Sequence, residues 1–354
     1  MQQIKDKRIF RVKLFLKAQC EERNDMKKKI RAVLSVLLVF VCVWVLSAGV
    51  SADKVTELIV AGTPFGVKMH MEGVTVVGIP GGKGPAADAG LRKGDVITAI
   101  DGVPITSAEA FAEAVKASEG KTLSLELKSG ALSRTAKITP VSDESGEYKL
   151  GVWVKDSAAG IGTITFIEPK TMTFAGLGHG ICDAESGEVI PFSFGSAEEV
   201  SLSGIVMGKP SAPGELRGSF VGKKIGKLLK NDLTGVYGVL VELPLTLVNE
   251  KYPVCPAAEV KEGKASVFAT VDGDGRQAYE IEIFDLVRDG KDRNFSIRVT
   301  DEALLSKTGG IVQGMSGSPI VQDGRIIGAV THVLVNDPTR GYGIFIENML
   351  EAAR

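Results

Sequence analysis

At 354 residues the chain is long enough for about two domains, each with a core of its own. Its 42 basic and 43 acidic side chains leave a formal charge of -1, which argues against nucleic acid as a partner, since that would call for a basic face. Four cysteines, Cys20, Cys42, Cys182 and Cys255, are too few and scattered for a disulfide scaffold, and three histidines exclude a histidine-rich metal site. A Cys182–Cys255 bridge and two free thiols are both open.

In chain order, Lys27, Lys28, Lys29 and Arg31 precede the uncharged apolar run 32–50, which is long enough to span a bilayer. The basic flank predicts a cytoplasmic N-terminus and an exported remainder. Small residues at Val50, Ser51 and Ala52 offer a signal-peptidase site, so a cleaved leader and a retained anchor both fit. Met26 opens a shorter leader, "MKKKIR", which makes an over-extended start an alternative for residues 1–25. The expected division is a basic leader over 1–31, a transmembrane or signal segment over 32–52, and folded units over 53–145 and 146–354.

The first folded unit reads as β-rich, with short runs "KVTELIV", "VTVVGI" and "DVITAIDG". "TSAEAFAEAVKAS" has helical spacing, with Ala110, Phe111, Ala114 and Val115 on one face and Ser107 as cap. "TLSLELKSG" and "LSRTAKITPV" alternate and predict a hairpin. This order, with "GPAADAGLRKGDVITAIDGVPI" between the early strands and the helix, resembles a PDZ domain. The resemblance implies a groove that takes a chain end as an added strand, and it places the carboxylate-binding loop at Pro64–Met69, with Phe65, Gly66 and Val67 at its centre.

From about residue 147 the chain becomes a succession of short β-prone runs, "GIGTITFI", "GKASVFATV", "AYEIEIFDLV" and "GRIIGAVTHVLV" among them, separated by Gly, Pro, Asn and Asp. That rhythm predicts barrels or a sandwich. It argues against an α/β hydrolase, as does the strand-like sequence after "GMSGSPI", where that fold needs a long helix. Ser316 in this stretch is a candidate nucleophile, which would need a base and oxyanion donors. Gly314 permits a backbone conformation in which the N–H groups of Gly314 and Ser316 converge on an oxyanion. Ser318 is its rival. For the base, His70 lies in the first unit, His332 lies on the strand after the serine loop, and His179 lies in "FAGLGHGICD", where Gly176, Gly178 and Gly180 let the chain turn closely.

"GMSGSP" resembles the G-x-S-G-x-P loop of chymotrypsin-like proteases. The longer phrase "TGGIVQGMSGSPIVQDGRIIGAVTHVLVNDPTRGYGIFIE" closely resembles the stage IV sporulation protein B peptidases of endospore-forming bacteria, from the basic leader to the C-terminus. The resemblance implies a mostly β chain in which a PDZ-like domain precedes a chymotrypsin-like double β-barrel peptidase domain. It gives Ser316 the role of nucleophile, His179 that of base and Asp301 that of acid, with no cofactor and no metal. Asp301 lies 15 residues before Ser316, whereas Asp232, 53 residues after His179, suits the usual chymotrypsin spacing better, and Asp183 is a third choice. The resemblance further implies export to the space between the two forespore membranes. There the protein would cut itself and a membrane-bound regulator of an intramembrane metalloprotease, releasing late mother-cell sigma factor processing.

Overall fold

The computed structural model describes residues 55–354, apart from 131, 184–186, 245–246 and 248. The expected leader and membrane segment lie outside the described residues. Among those described, no helix is long and apolar enough to cross a membrane.

Strand β1 (Glu57–Gly78) organises half of the molecule. Its apolar residues Phe65, Val67 and Met69 alternate with Gly66 and Lys68, so one face is buried. Its long partner is β5 (Trp153–Ile167), antiparallel from Ile59↔Ile167 to Gly78↔Trp153. Between them come β2 (Val96–Ile100), β3 (Leu123–Ser129) and β4 (Leu132–Ile138), which extend the far half of β1 into an antiparallel sheet. The short helix α1 (Pro85–Asp88) and helix α2 (Ala108–Ala117) belong to this same part of the chain. Ser107 caps α2 by accepting from the Ala110 N–H at 3.0 Å, and Phe111 and Val115 enter a core with Val74, Ile97, Leu125 and Leu127.

The near half of β1 belongs to a different body. With β5, β6 (Thr173–Gly176), β7 (Phe194–Val206), β8 (Glu215–Asp232) and β9 (Gly235–Leu240) it forms a ring, closed where β1 residues 66–70 pair with β7 residues 194–198. A second six-stranded barrel is built from β10 (Gly263–Ala269), β11 (Gln277–Phe284), β12 (Phe295–Val299), β15 (Asp337–Phe345), β14 (Arg325–Leu334) and β13 (Pro319–Gln322), in that spatial order. Helix α3 (Glu302–Thr308) enters the serine loop, and α4 (Ile346–Ala352) ends the chain. Closure leaves neither ring a free edge.

This topology corrects the reading of Phe65, Gly66 and Val67 as a carboxylate-binding loop. Phe65 and Val67 are buried in the first barrel's core, and Gly66 is paired on both sides, to Ile161 and to Glu198. A strand with both edges occupied cannot turn its amides to a ligand. Cys182 and Cys255 are free thiols.

Candidate active site

The serine loop, residues 310–318, leaves α3 through Gly309 in the left-handed region (φ 74°) and enters β13. Its docking onto the first barrel rests on two buried threonines of β5. The Thr163 N–H donates to the Ser316 carbonyl at 3.0 Å, and the Thr163 hydroxyl donates to the Gly314 carbonyl at 2.8 Å. The Thr165 hydroxyl donates to the Gly317 carbonyl at 2.7 Å. Gly317 has φ 93°, and a Cβ there would stand 2.1 Å from the Thr163 carbonyl oxygen, so no other residue fits. The N–H groups of Met315, Gly317 and Ser318 are spent on backbone carbonyls. Those of Gly314 and Ser316 donate to no backbone carbonyl among the described residues.

The histidine loop comes after β6. Leu177 and Gly178 both have positive φ, 68° and 67°, and a Cβ on Gly178 would lie 2.9 Å from the Val330 carbonyl oxygen. This strained turn carries His179 against the second barrel. Asn231 pins the chain beyond the histidine: its side chain accepts from the Ile181 N–H and donates to the Ile181 and Ile190 carbonyls, each at 2.9 Å. Neither Asn231 nor Thr163 stood out in the sequence. A polar residue in a strand signals a partner only once the opposite wall is known.

His179 and Ser316 both line one cavity of about 240 Å³, which Val67, Ile161, Leu177 and Gly314 also line. His179 Nδ1 lies 2.9 Å from the Gly180 carbonyl oxygen. A carbonyl only accepts, so Nδ1 carries the proton and Nε2 keeps its lone pair. Burial lowers the pKa of His179, partly offset by this hydrogen bond, so the ring is neutral near pH 7. The Ser316 hydroxyl donates to the Thr331 carbonyl at 2.8 Å. Ser318 is fully buried, and its hydroxyl has no hydrogen-bond partner among the described residues.

The expected acid is elsewhere. Asp301 is the N-cap of α3, where one carboxylate oxygen accepts from the Leu304 N–H at 3.0 Å and the other from the Glu280 N–H at 3.2 Å. Each oxygen is taken up by a backbone N–H of the second barrel, one in α3 and one on β11. Asp232 comes near the histidine loop through its backbone, yet its carboxylate accepts from the Thr234 N–H and hydroxyl and pairs with Lys230. Asp183 lies in the turn beyond, with its N–H on the Glu188 carbonyl. Among the described residues, burial and the Gly180 carbonyl set the pKa of His179, and no carboxylate acts on it. The side chain against it is instead His332, with ring centroids 4.6 Å apart and planes at 30°. His70 stacks on Phe194 at 4.3 Å, on the β1–β7 wall.

A PDZ domain family model matches residues 80–129. A protein of Neisseria meningitidis that carries a zinc-metalloprotease name is 33% identical over 109 residues, 28% of this chain and 24% of that protein, so the chain spans about a quarter of the curated relative's length. The PDZ domain of the SdrC-like protein of Listeria monocytogenes is 30% identical, covering 23% of this chain and 87% of that one, with a TM-score of 0.22. The Rv3671c protease from M. tuberculosis in its active form is 16% identical, covering 55% of this chain and 72% of that one, with a TM-score of 0.31. The family model for the SpoIVB peptidase S55 matches residues 146–350, which hold both loops of the cavity. Because that match spans more than half of its length, the chain belongs to the SpoIVB peptidase S55 family and carries a PDZ domain.

Proposed function

We propose that the chain hydrolyses peptide bonds through an acyl-enzyme, with Ser316 as nucleophile and His179 as general base. The observation that carries this reading is that His179 and Ser316 line one cavity, beside two amides that no backbone carbonyl among the described residues takes up. In the resting state the Ser316 hydroxyl is turned to the Thr331 carbonyl, so rotation about its Cα–Cβ bond precedes attack. Nε2 of His179 then takes the hydroxyl proton as Oγ adds to the scissile carbonyl. The Gly314 and Ser316 N–H groups receive the developing oxyanion, and the His179 imidazolium returns the proton to the leaving amine. Water, deprotonated by the same nitrogen, releases the acyl group. The cavity walls, Val67, Ile161 and Leu177, are apolar, so the substrate side chain seated beside Ser316 is apolar.

Membership of this family supports a sporulation role. In that role the protein is delivered across, or anchored in, the forespore membrane and acts in the intermembrane space. Its substrates are its own chain and a membrane-bound regulator of an intramembrane metalloprotease, whose release permits late mother-cell sigma factor processing. The PDZ domain recruits the protein substrate and raises its concentration at the cavity. The test compares the full chain with its Ser316→Ala variant, following self-cleavage and cleavage of the co-expressed regulator by immunoblot. Loss of both in the variant, a fall of about 10⁶-fold in kcat, is the expected result. Equal processing by the two proteins would defeat the assignment of Ser316 as the nucleophile.

A further inference from the structure

Resting on the assignment of Ser316 and His179, we infer that the free edge of β5 from Ser157 to Ile161 takes the amine side of the substrate as an added strand and leads it from the serine to the PDZ domain. Strand β5 outruns its neighbour in the ring. It pairs with β6 only through Ile164, Phe166 and Ile167, whereas its pairing with β1 runs without a shift from Ile164 back to Ser157. Between Ser157 and Gly162 no strand among the described residues pairs with its other edge. That edge ends on the serine loop. The Thr163 N–H donates to the Ser316 carbonyl at 3.0 Å, and the Thr163 carbonyl accepts from the Leu177 N–H at 3.1 Å. Thr163 therefore faces away from β1, and the alternation of an antiparallel pair turns the N–H and C=O of Ile161, Ala159 and Ser157 the same way. None of these groups has a backbone partner on that side among the described residues.

An unoccupied strand edge is a template for another strand, and folds that leave one open blunt it with charge, proline or a bulge. The stretch Ser157-Ala158-Ala159-Gly160-Ile161 carries none of these, and Ala158 to Ile161 line the cavity that holds Ser316 and His179. The edge is continuous with the candidate site, which makes the substrate chain its occupant. Which side of the substrate it takes follows from the base. His179 hands its proton to the leaving amine and follows β6 on the same barrel as β5, so the departing segment lies along this barrel. Antiparallel pairing then runs that segment from the serine toward Ser157, with main-chain hydrogen bonds supplying affinity whatever the side chains. Beyond Ser157 it meets the PDZ domain. The Asp156 carboxylate accepts from the Ala108 N–H at the start of α2 at 3.0 Å, and Trp153 pairs with Gly78 in the PDZ sheet. Recruitment and cleavage thus share one strand, and the PDZ domain is the far end of the substrate cleft.

The experiment measures kcat/KM of the full chain on quenched fluorescent peptides that share an apolar residue on the acyl side of the cut and differ in the length of the amine side. As that side grows to about six residues, the length that spans the free edge, kcat/KM is expected to rise about 10²-fold through two or three main-chain hydrogen bonds and then to level off. N-methylation of single amides along the amine side should cancel the gain at every second position and spare it between, the period of a strand. Because the protein is unaltered in this scan, misfolding cannot mimic the result. A diazirine placed on the amine side and irradiated on the Ser316→Ala chain should cross-link to residues 157–161, which mass spectrometry of the labelled peptide reads. Equal rates for short and long amine sides, N-methyl effects without the two-residue alternation, or cross-links away from this edge overturn the inference alone. A wild-type chain that cleaves no peptide and takes no fluorophosphonate at Ser316 overturns the peptidase assignment and the inference with it.

Discussion

Two side chains, His179 and His332, share one partly dry space and cannot both hold a proton cheaply. Burial lowers the pKa of both, that of His332 to about 4 from an ordinary 6.5. In each case the unfolded chain binds the proton first as pH falls, so the sign is definite. The pair's contribution to stability is complete above pH 6.5, the ordinary histidine value, and is lost as pH falls toward about 4. A urea midpoint measured at half-unit intervals should decline through that window, and His332→Phe should remove the part due to His332. Activity has the same sign, because a depressed pKa keeps Nε2 of His179 available as a base below pH 6.5. Gly317 gives a second test at this scale. Its alanine variant would bring a Cβ onto the Thr163 carbonyl at a φ that side chains resist. It should lose about 1–3 kcal/mol of stability, read by denaturant titration, and should release the serine loop from β5.

Helix α3 and strand β1 show how differently elements reveal themselves. For α3 the informative residue is Asp301, whose carboxylate caps the first turn. Asp301→Ala should cost about 1 kcal/mol, and Asp301→Asn, itself a good cap, much less; equal losses in thermal melts would refute the capping role. The sequence supported a catalytic reading of Asp301 only through resemblance, because a capping and a catalytic aspartate are the same residue until the partners are seen. Helix α2 was legible throughout: its cap at Ser107 and its buried face at Phe111 and Val115 are consequences of local spacing. The hairpin of β3 and β4 was equally legible from alternation. Strand β1 was not. The PDZ resemblance put a loop at Pro64–Met69, although Phe65, Val67, Met69 and Met71 alternate as a buried strand face should. The period-2 signal was present, and only the two neighbours, β5 and β7, decided in its favour.

The whole molecule is threaded by β1 and β5, each of which starts or ends in the PDZ sheet and runs on into the first barrel. An expected boundary at residue 145 therefore cuts through the first barrel's core, which takes Phe65, Val67 and Met69 from one side of it and Ile164, Phe174 and Leu228 from the other. The fragment 146–354, though it holds the histidine and serine loops, should fail to fold, because it lacks Phe65, Val67 and Met69 and leaves β5 and β7 unpaired. Gly78 and Trp153 are register partners, so replacing residues 79–152 by Asn-Gly should close β1 and β5 as a hairpin and leave both barrels intact. Circular dichroism and fluorophosphonate labelling of Ser316 check both constructions; a folded 146–354 fragment would contradict the shared-strand account. By itself the sequence determined what depends on near neighbours: the β-rich class, the capped helix, the hairpin, and glycine-bearing loops at His179 and Ser316. Tertiary structure decided which side chain faces His179, because that contact joins loops from two barrels through a bulge whose register is set by strand pairing. Local residue order carries spacing and backbone freedom, while the partner of a buried ring is chosen by walls that the chain supplies from more than a hundred residues away.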